Sequence, residues 1–188
     1  MFLPLHGAHQ AHNALLALAA AEALLRQGGA LDGALVEAAF AAADSPGRLE
    51  LVRRSPTVLV DAAHNPAGAQ ALADALEEAF EFERLVGVVA ILDDKDAEHI
   101  LSVLEPVLDE VVVTRSTSPR AREVDDLAAV AEEVFGEDRV HRADRLDDAV
   151  ARAVDLAEQG VGGSPTGAGV LVTGSITLVA EARILFGR

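Results

Sequence analysis

Polar and charged side chains recur at one kind of position in this chain, namely the few residues that follow an apolar run. The first such group is Asp61, His64 and Asn65, which follows Thr57–Val60. A carboxylate and an imidazole at this spacing can bind a polar ligand or move a proton. Asn65 with Pro66 is also an ordinary helix start. Folding requires no imidazole among the small residues around His64, so Asp61 and His64 are the first candidates for function.

Three more groups follow later apolar runs and add cations and hydroxyls. They are Asp93, Asp94, Lys95 and Asp96 after Ile91; Arg115, Ser118 and Arg120 after Val113; and Thr173 and Ser175 after Val172. Helix N-termini next to such groups favour anions. Asp96 and Ser175 are equally ordinary helix caps. Taken together, the groups favour a ligand that carries carboxylates or phosphates.

Strands that alternate with amphipathic helices would position these groups. Strands are predicted at 49–53, 57–61, 85–91, 110–114, 138–141 and 169–173, with a hairpin turn at 54–56. Helices are predicted at 9–28, 33–43, 66–80, 96–108, 123–135, 146–158 and 175–186. The runs 86–91 and 111–113 are apolar throughout, which is typical of strands covered by helices on both faces.

This pattern predicts an α/β fold with a Rossmann-like, mostly parallel sheet. We expect about five parallel strands plus one antiparallel edge strand, with helices on both faces and a helical pair in front. Because the carboxyl ends of parallel strands meet at one edge, the polar groups should lie along a single rim, where ligands bind in open α/β sheets.

Composition narrows the class of protein. The chain has 188 residues, 51% hydrophobic, and a formal net charge of −16. Nucleic acid is not expected as a partner, because phosphate binding needs a basic surface. There is no cysteine, which excludes disulfides and thiolate metal sites and fits a cytoplasmic location. No stretch approaches the ~18 apolar residues of a membrane span, so no membrane partner is expected.

Two further features are interpreted as structural. The glycine-rich segment 160–169 contains no lysine and leads into a strand instead of following one. It is therefore interpreted as a flexible loop, since a phosphate-binding loop lies between a strand and a helix. His6, His9 and His12 drift around a helix without a carboxylate, and no metal site is predicted there.

Six motifs in order resemble the folylpolyglutamate synthase/dihydrofolate synthase branch of the Mur ligase superfamily. They are Gly7-Ala8-His9-Gln10-Ala11-His12-Asn13-Ala14, Pro46-Gly47-Arg48, Asp61-Ala62-Ala63-His64-Asn65-Pro66, Asp94-Lys95-Asp96, Pro119-Arg120-Ala121, and Thr173-Gly174-Ser175 with Leu178-Val179-Ala180-Glu181. Ala62 stands where the family usually has glycine. The resemblance covers essentially the whole chain. It implies that residues 1–45 are the helical tail of a central ATPase domain and that 46–188 are the C-terminal, glutamate ligase domain.

The resemblance implies an ATP-dependent amide ligase that adds L-glutamate to folate or dihydropteroate through an acyl phosphate. The matching positions would bind ATP through Asn13, Arg48 and Asp61, and would bind glutamate through His64, Ser175, Arg120 and Lys95. His64 and Arg48 would be the catalytic residues, with His64 acting through position and hydrogen bonding rather than as the main general base.

The family also has parts that this sequence does not contain, among them a Gly-x-x-Gly-Lys-[Ser/Thr] loop, Mg²⁺ ligands and a carbamylated lysine. We therefore expect a fragment that is not catalytically competent alone, with the Mg²⁺ ligands and the pterin contacts on a missing domain. The full-length enzyme is expected to be a monomer, and the fragment to dimerise through residues 1–44. Two alternatives stay open: a Mur ligase that builds peptidoglycan precursors, and a stand-alone nucleotide-binding α/β module.

Overall fold

The strands form one sheet within residues 2–25, 31–159 and 167–188, the part of the chain that the computed structural model describes. Its order is β1-β2-β6-β3-β4-β5. The strands are β1 (Glu50–Arg54), β2 (Thr57–Val60), β3 (Arg84–Val89), β4 (Glu110–Val113), β5 (Val140–Arg142) and β6 (Ala168–Thr173). Strands β2 to β6 are parallel, and β1 pairs antiparallel with β2 at one edge. The predicted mostly parallel sheet with one antiparallel edge strand is confirmed.

The helices include the predicted N-terminal pair. They are α1 (Ala8–Leu25), α2 (Gly33–Ala41), α3 (Pro66–Ala79), α4 (Ala97–Leu104), α5 (Val124–Phe135), α6 (Leu146–Gln159) and α7 (Ile176–Leu185). In the described part of the chain, none of them is long and apolar enough to cross a membrane.

Each face of the sheet carries its own apolar core. Val89 and Leu59 point toward α3, α4 and α5, where they join Ile100. Val88 points the other way, into a cluster with Leu178 of α7 and with the alanines of α6. Because alternate residues of each central strand are buried on opposite faces, a continuously apolar run is what the sequence must supply.

Several element ends differ from the sequence prediction, among them the end of β3 at Val89 instead of 91 and the end of α2 at Ala41 instead of 43. Two further differences have a local steric reason. Helix α4 ends at Leu104 instead of 108, because Pro106 cannot continue an α-helix and Glu105–Val107 form a 3₁₀ turn. Strand β5 begins at Val140 instead of 138, because a second 3₁₀ turn, Glu137–Arg139, follows Gly136 with its φ of +85°. The predicted end of the first helix (26–28) and residues 160–166 of the glycine-rich segment lie outside the described residues.

Gly174 brings the ends of three strands together at the carboxyl edge of the sheet. Its φ is +102°, and a Cβ there would lie 2.7 Å from the carbonyl oxygen of Ala90, after β3. Its N–H donates to the carbonyl of Ala63, after β2, at 3.1 Å. Only glycine permits both the left-handed backbone and this close approach. We call this edge, with residues 61–65, 90–96, 114–123 and 174–175, the rim.

In the described residues, the N-terminal helices bury little of their surface. Gly7 lies against Ala75 of α3, with room for no Cβ, and the His6 ring lies 5.1 Å from the Phe80 ring. Helix α1 buries Gln10 alone, and α2 buries no residue. Large apolar side chains are therefore left exposed on these helices: Leu15, Leu16, Leu24, Leu25 and Leu35.

We predict that the purified chain self-associates through these exposed leucines. At roughly 25 cal/mol per Å² of apolar surface, covering a few hundred Å² is worth several kcal/mol. Light scattering on a sizing column should give a dimer for the unmodified chain and a monomer for the variant Leu16→Glu/Leu24→Glu.

The control variant, Ala67→Glu/Ala129→Glu, adds the same two charges at exposed alanines of α3 and α5. It should remain dimeric. A monomeric parent chain, or an equal loss of the dimer in both variants, would show that the leucines do not mediate association.

Candidate functional site

Asp61 lies at the end of β2, 8% exposed, and both of its carboxylate oxygens are occupied by backbone. Oδ1 accepts from the N–H of Ala63 and Oδ2 accepts from the N–H of Leu49, each at 2.8 Å. Burial raises the pKa of Asp61, while the two amide hydrogen bonds and the charge of Arg48 act in the opposite direction. The carboxylate thus joins the end of β2 to the turn that precedes β1.

That turn has an unusual backbone. Gly47 has a φ of +74°, and Leu49, although it is not glycine, has a φ of +44°. A bulky residue in the left-handed region is strained and persists only where its surroundings hold it. Asp61 holds Leu49, and Glu50 Oε2 accepts from the N–H of Gly47 at 2.7 Å. Between these two fastened residues, Arg48 is exposed.

The geometry of His64 defines its tautomer. Nδ1 lies 2.8 Å from the carbonyl oxygen of Ala62, an acceptor, so Nδ1 carries the hydrogen. Nε2 is left to accept a hydrogen bond or, when the ring is protonated, to donate one. Next to it, Asn65 caps α3 by accepting from Gly68 N–H at 2.8 Å, which accounts for Asn65 as a structural residue.

Lys95 and Arg120 meet at one carboxylate. Nζ of Lys95 lies 3.0 Å from Asp94 Oδ2, and Nη1 of Arg120 lies 3.4 Å from Asp94 Oδ1. Their hydrogen bond and charges lower the pKa of Asp94 below its ordinary value, Lys95 contributing most. The backbone supports this contact, since the Asp93 N–H donates to the Arg120 carbonyl at 2.9 Å. The loops after β3 and β4 are therefore joined where their cations lie.

Ser175 is 1% exposed and caps α7 by accepting from the N–H of Thr177 at 3.2 Å. It follows Gly174, which contacts the loops after both β2 and β3. The structure therefore brings four of the predicted positions, His64, Ser175, Lys95 and Arg120, to the rim.

The residues predicted for ATP are grouped around the first turn of α1. His9, Gln10, Arg48 and Asp61 line a cavity of about 80 Å³. Asn13 is exposed one turn further along α1, and its Nδ2 donates to Gln10 Oε1 at 3.3 Å. Asp61 therefore belongs both to the rim and to the lining of this cavity, and Asn13 is connected to the cavity through Gln10.

Sequence reasoning assigned no role to two carboxylates that the structure uses. Glu50 accepts from Gly47 N–H and, at 2.8 Å, from Nε of Arg183 on α7. Glu181, on α7, accepts from both the N–H and the hydroxyl of Thr117. Two signals in the sequence mark Glu181, namely its place at the end of the sixth motif and its being the single acidic residue of α7. Nothing in the sequence indicates the partner of Glu50.

A groove of about 560 Å³ lies beside the rim, between α6 and α7. Arg115, Thr117 and Glu181 are among its lining residues. Within residues 2–25, 31–159 and 167–188, the groove included, no three His, Cys, Asp or Glu side chains converge in a way that could hold a metal ion.

The fold defines a class, namely the α/β domains with an open, mostly parallel sheet, in which ligands bind at the carboxyl ends of the strands. Residues 47–176 match the family model for the Mur ligase, glutamate ligase domain, and the chain belongs to that family.

Among its relatives is a dihydrofolate synthase/folylpolyglutamate synthase of Mycobacterium tuberculosis, 52% identical across all of this chain, which spans 40% of the relative's length. A solved structure of Mycobacterium tuberculosis folylpolyglutamate synthase, complexed with ADP and AMPPCP, superposes with a TM-score of 0.94 at 53% identity, covering all of this chain and 42% of that one. A solved structure of E. coli FolC in complex with DHPP and ADP superposes with a TM-score of 0.77 at 28% identity, covering 98% of this chain and 40% of that one.

We predict that Asp61→Asn destabilises the fold. The amide oxygen of asparagine can accept one of the two N–H groups, and its NH₂ group must then face the other. A hydrogen bond to a charged group is worth about 2 kcal/mol, so the free energy of unfolding in urea should fall by about that amount. The matched variant Asp94→Asn removes an exposed carboxylate and should leave unfolding nearly unchanged. Equal urea midpoints for Asp61→Asn and the parent chain would show that the two hydrogen bonds of Asp61 do not stabilise the fold.

Proposed function

We propose that residues 46–188 are the glutamate ligase domain of an ATP-dependent ligase that adds L-glutamate to folate, a folylpolyglutamate synthase, with dihydrofolate synthase activity as a second capacity. The proposal is supported by the rim, which carries His64, Ser175, Lys95 and Arg120 on loops that follow parallel strands, in a chain 52% identical to the Mycobacterium tuberculosis relative. A peptidoglycan-type Mur ligase is less well supported, because the relatives named above are folate enzymes.

Arg48 is the residue of this chain best placed to meet a phosphate. Its guanidinium is exposed on a turn that Asp61 and Glu50 hold, and guanidinium groups fork onto phosphate oxygens. ATP, when bound, would supply the phosphoryl group that activates the folate carboxylate. Both Asp61 oxygens already accept backbone N–H groups, so Asp61 would act by holding the turn rather than by touching the nucleotide.

The rim provides separate contacts for the carboxylates and the amine of glutamate. Lys95 and Arg120 share Asp94 as their partner, so a ligand carboxylate could take its place between the two cations. His64 presents Nε2, which can accept a hydrogen bond from the amine or, when the ring is protonated, pair with a carboxylate. The N-terminus of α7 at Ser175 adds a favourable field for anions.

The remaining needs of the reaction would be met outside these residues. Since the described residues show no cluster of three metal-ligating side chains, we propose that Mg²⁺ ligands come from other parts of the enzyme, as do the contacts to the pterin. A monomeric full-length enzyme in the cytoplasm completes the proposal.

A chimaera tests the proposed function directly. This chain replaces the aligned residues of the Mycobacterium tuberculosis relative, and the product assay follows ATP-dependent addition of glutamate to a folate. We expect activity within about tenfold of that relative, because the replaced segment keeps the rim. The 188-residue chain alone should release no phosphate from ATP with Mg²⁺. An inactive but folded chimaera, or phosphate release by the chain alone, would refute the proposal.

Arg48→Ala should cost more activity than Lys95→Ala in this chimaera. A cation delivered to the charge that grows in the transition state is worth about 3 kcal/mol, or roughly a hundredfold in kcat. Lys95 already has Asp94 as a partner at 3.0 Å, and Arg120 remains beside it. The loss of the Lys95 side chain should mainly raise KM for glutamate. Equal losses of kcat in the two variants would contradict this ranking.

His64→Gln should raise KM for glutamate more than it lowers kcat. The glutamine side chain cannot carry the positive charge with which a protonated imidazole would pair with a carboxylate of glutamate, so binding is weakened first. Steady-state kinetics of the chimaera at varied glutamate concentration provide the measurement. An unchanged KM with a collapse of kcat would instead identify His64 as the general base.

A further inference from the structure

The segment from Thr114 to Arg120 leaves β4 along the rim and exposes Arg115 and Arg120. Two hydroxyl groups of this segment are buried, but they form no hydrogen bond that would hold it in place. Within the part of the chain that the structure describes, Thr114 Oγ1 and Ser116 Oγ have no hydrogen-bond partner. The polar contacts that hold this segment in place must therefore come from its other residues.

The far end of the segment is fastened to the loop after β3. The Arg120 carbonyl accepts from the Asp93 N–H at 2.9 Å, and Ala121 forms a backbone bridge with Leu92. The next N–H, that of Arg122, donates to the Ile91 carbonyl at 3.1 Å. These contacts fix the chain at and after Arg120, but not the residues between Arg115 and Ser118.

Glu181 fastens the middle of the segment. Its Oε1 accepts from the N–H of Thr117 at 2.9 Å and from the Thr117 hydroxyl. Both bonds involve a charged acceptor, which makes them stronger than neutral ones. Helix α7 is itself held in place, because Leu178, Val179 and Ala182, on either side of Glu181, are buried in the core.

We infer that Glu181 is a positioning residue for the rim. By holding Thr117 it adds a second fixed point to the one at Arg120, and so restricts the motion of the loop that presents Arg120 to a ligand carboxylate. A segment held at two points loses less conformational freedom when a ligand binds, which increases affinity. The inference rests on the proposed function in one respect, namely that the ligand is L-glutamate.

The test uses the full 188-residue chain and three variants. Glu181→Ala removes the acceptor, Glu181→Gln keeps a carbonyl oxygen that can accept both bonds, and Glu133→Ala removes an exposed carboxylate of α5 as a control. Amide hydrogen exchange of residues 115–120 measures the fastening, and an NMR titration with L-glutamate measures the dissociation constant.

Glu181→Ala should speed exchange in this segment by about tenfold and weaken L-glutamate by a similar factor, the equivalent of about one charge-assisted hydrogen bond. Glu181→Gln should show a smaller change of about threefold, because its neutral oxygen keeps both bonds but makes them weaker, and Glu133→Ala should stay within about twofold of the parent for both quantities. Two further variants separate the backbone bond of Thr117 to Glu181 from its hydroxyl bond. Thr117→Ser keeps the hydroxyl and should resemble the parent. Thr117→Val keeps only the backbone bond and should exchange at a rate between those of the parent and Glu181→Ala.

The outcomes separate the two proposals. Unchanged exchange in Glu181→Ala, or an equal increase in Glu133→Ala, overturns the inference, as does faster exchange with unchanged L-glutamate affinity. If the parent chain does not bind L-glutamate while Glu181→Ala still loosens residues 115–120 and Glu181→Gln loosens them less, the rim fails as a glutamate site. The fastening by Glu181 is then supported on the exchange data alone.

Discussion

The carboxylate of Asp61 is the interaction on which the geometry of the candidate site depends. It is buried at the end of β2 and accepts from the N–H groups of Leu49 and Ala63, so one side chain connects the sheet to the strained turn before β1 and to the loop that carries His64. A buried carboxylate is costly unless its oxygens are satisfied, and here two amides satisfy them. The strain at Leu49 is thus offset by a contact that also fixes Arg48 in an exposed position.

Other acidic side chains also hold neighbouring groups around the carboxyl edge. Glu50 and Glu181 accept from the backbone N–H groups of Gly47 and Thr117, and Asp94 pairs with the side chains of Lys95 and Arg120. Gly47 precedes the exposed Arg48, and Thr117 lies on the same loop as Arg120. The acidic residues near the rim are therefore part of the device that positions its cations, and they do not simply oppose an anionic ligand.

The sequence predicted the sheet well because apolar runs such as 86–91 and 111–113 have one physical explanation, burial on both faces. It also predicted which residues reach the rim, since parallel strands end at one edge. It could not predict that Asp61 would hold a turn, because its partner Leu49 is twelve residues away and the bond goes to backbone. The role of Glu181 was invisible for the same reason, since Thr117 lies 64 residues earlier in the chain.

The net charge of the chain affects how the rim would bind the anionic ligand proposed for it. The chain carries −16, so a ligand with several carboxylates is repelled at long range, but ions of physiological salt screen that repulsion beyond about 8 Å. Affinity must then come from short contacts in fixed geometry. Asp94 pairs with both Lys95 and Arg120, which offsets the repulsion between these two cations. A ligand carboxylate that takes the place of Asp94 exchanges one anion for another, so the arrangement of the cations need not change when the ligand arrives.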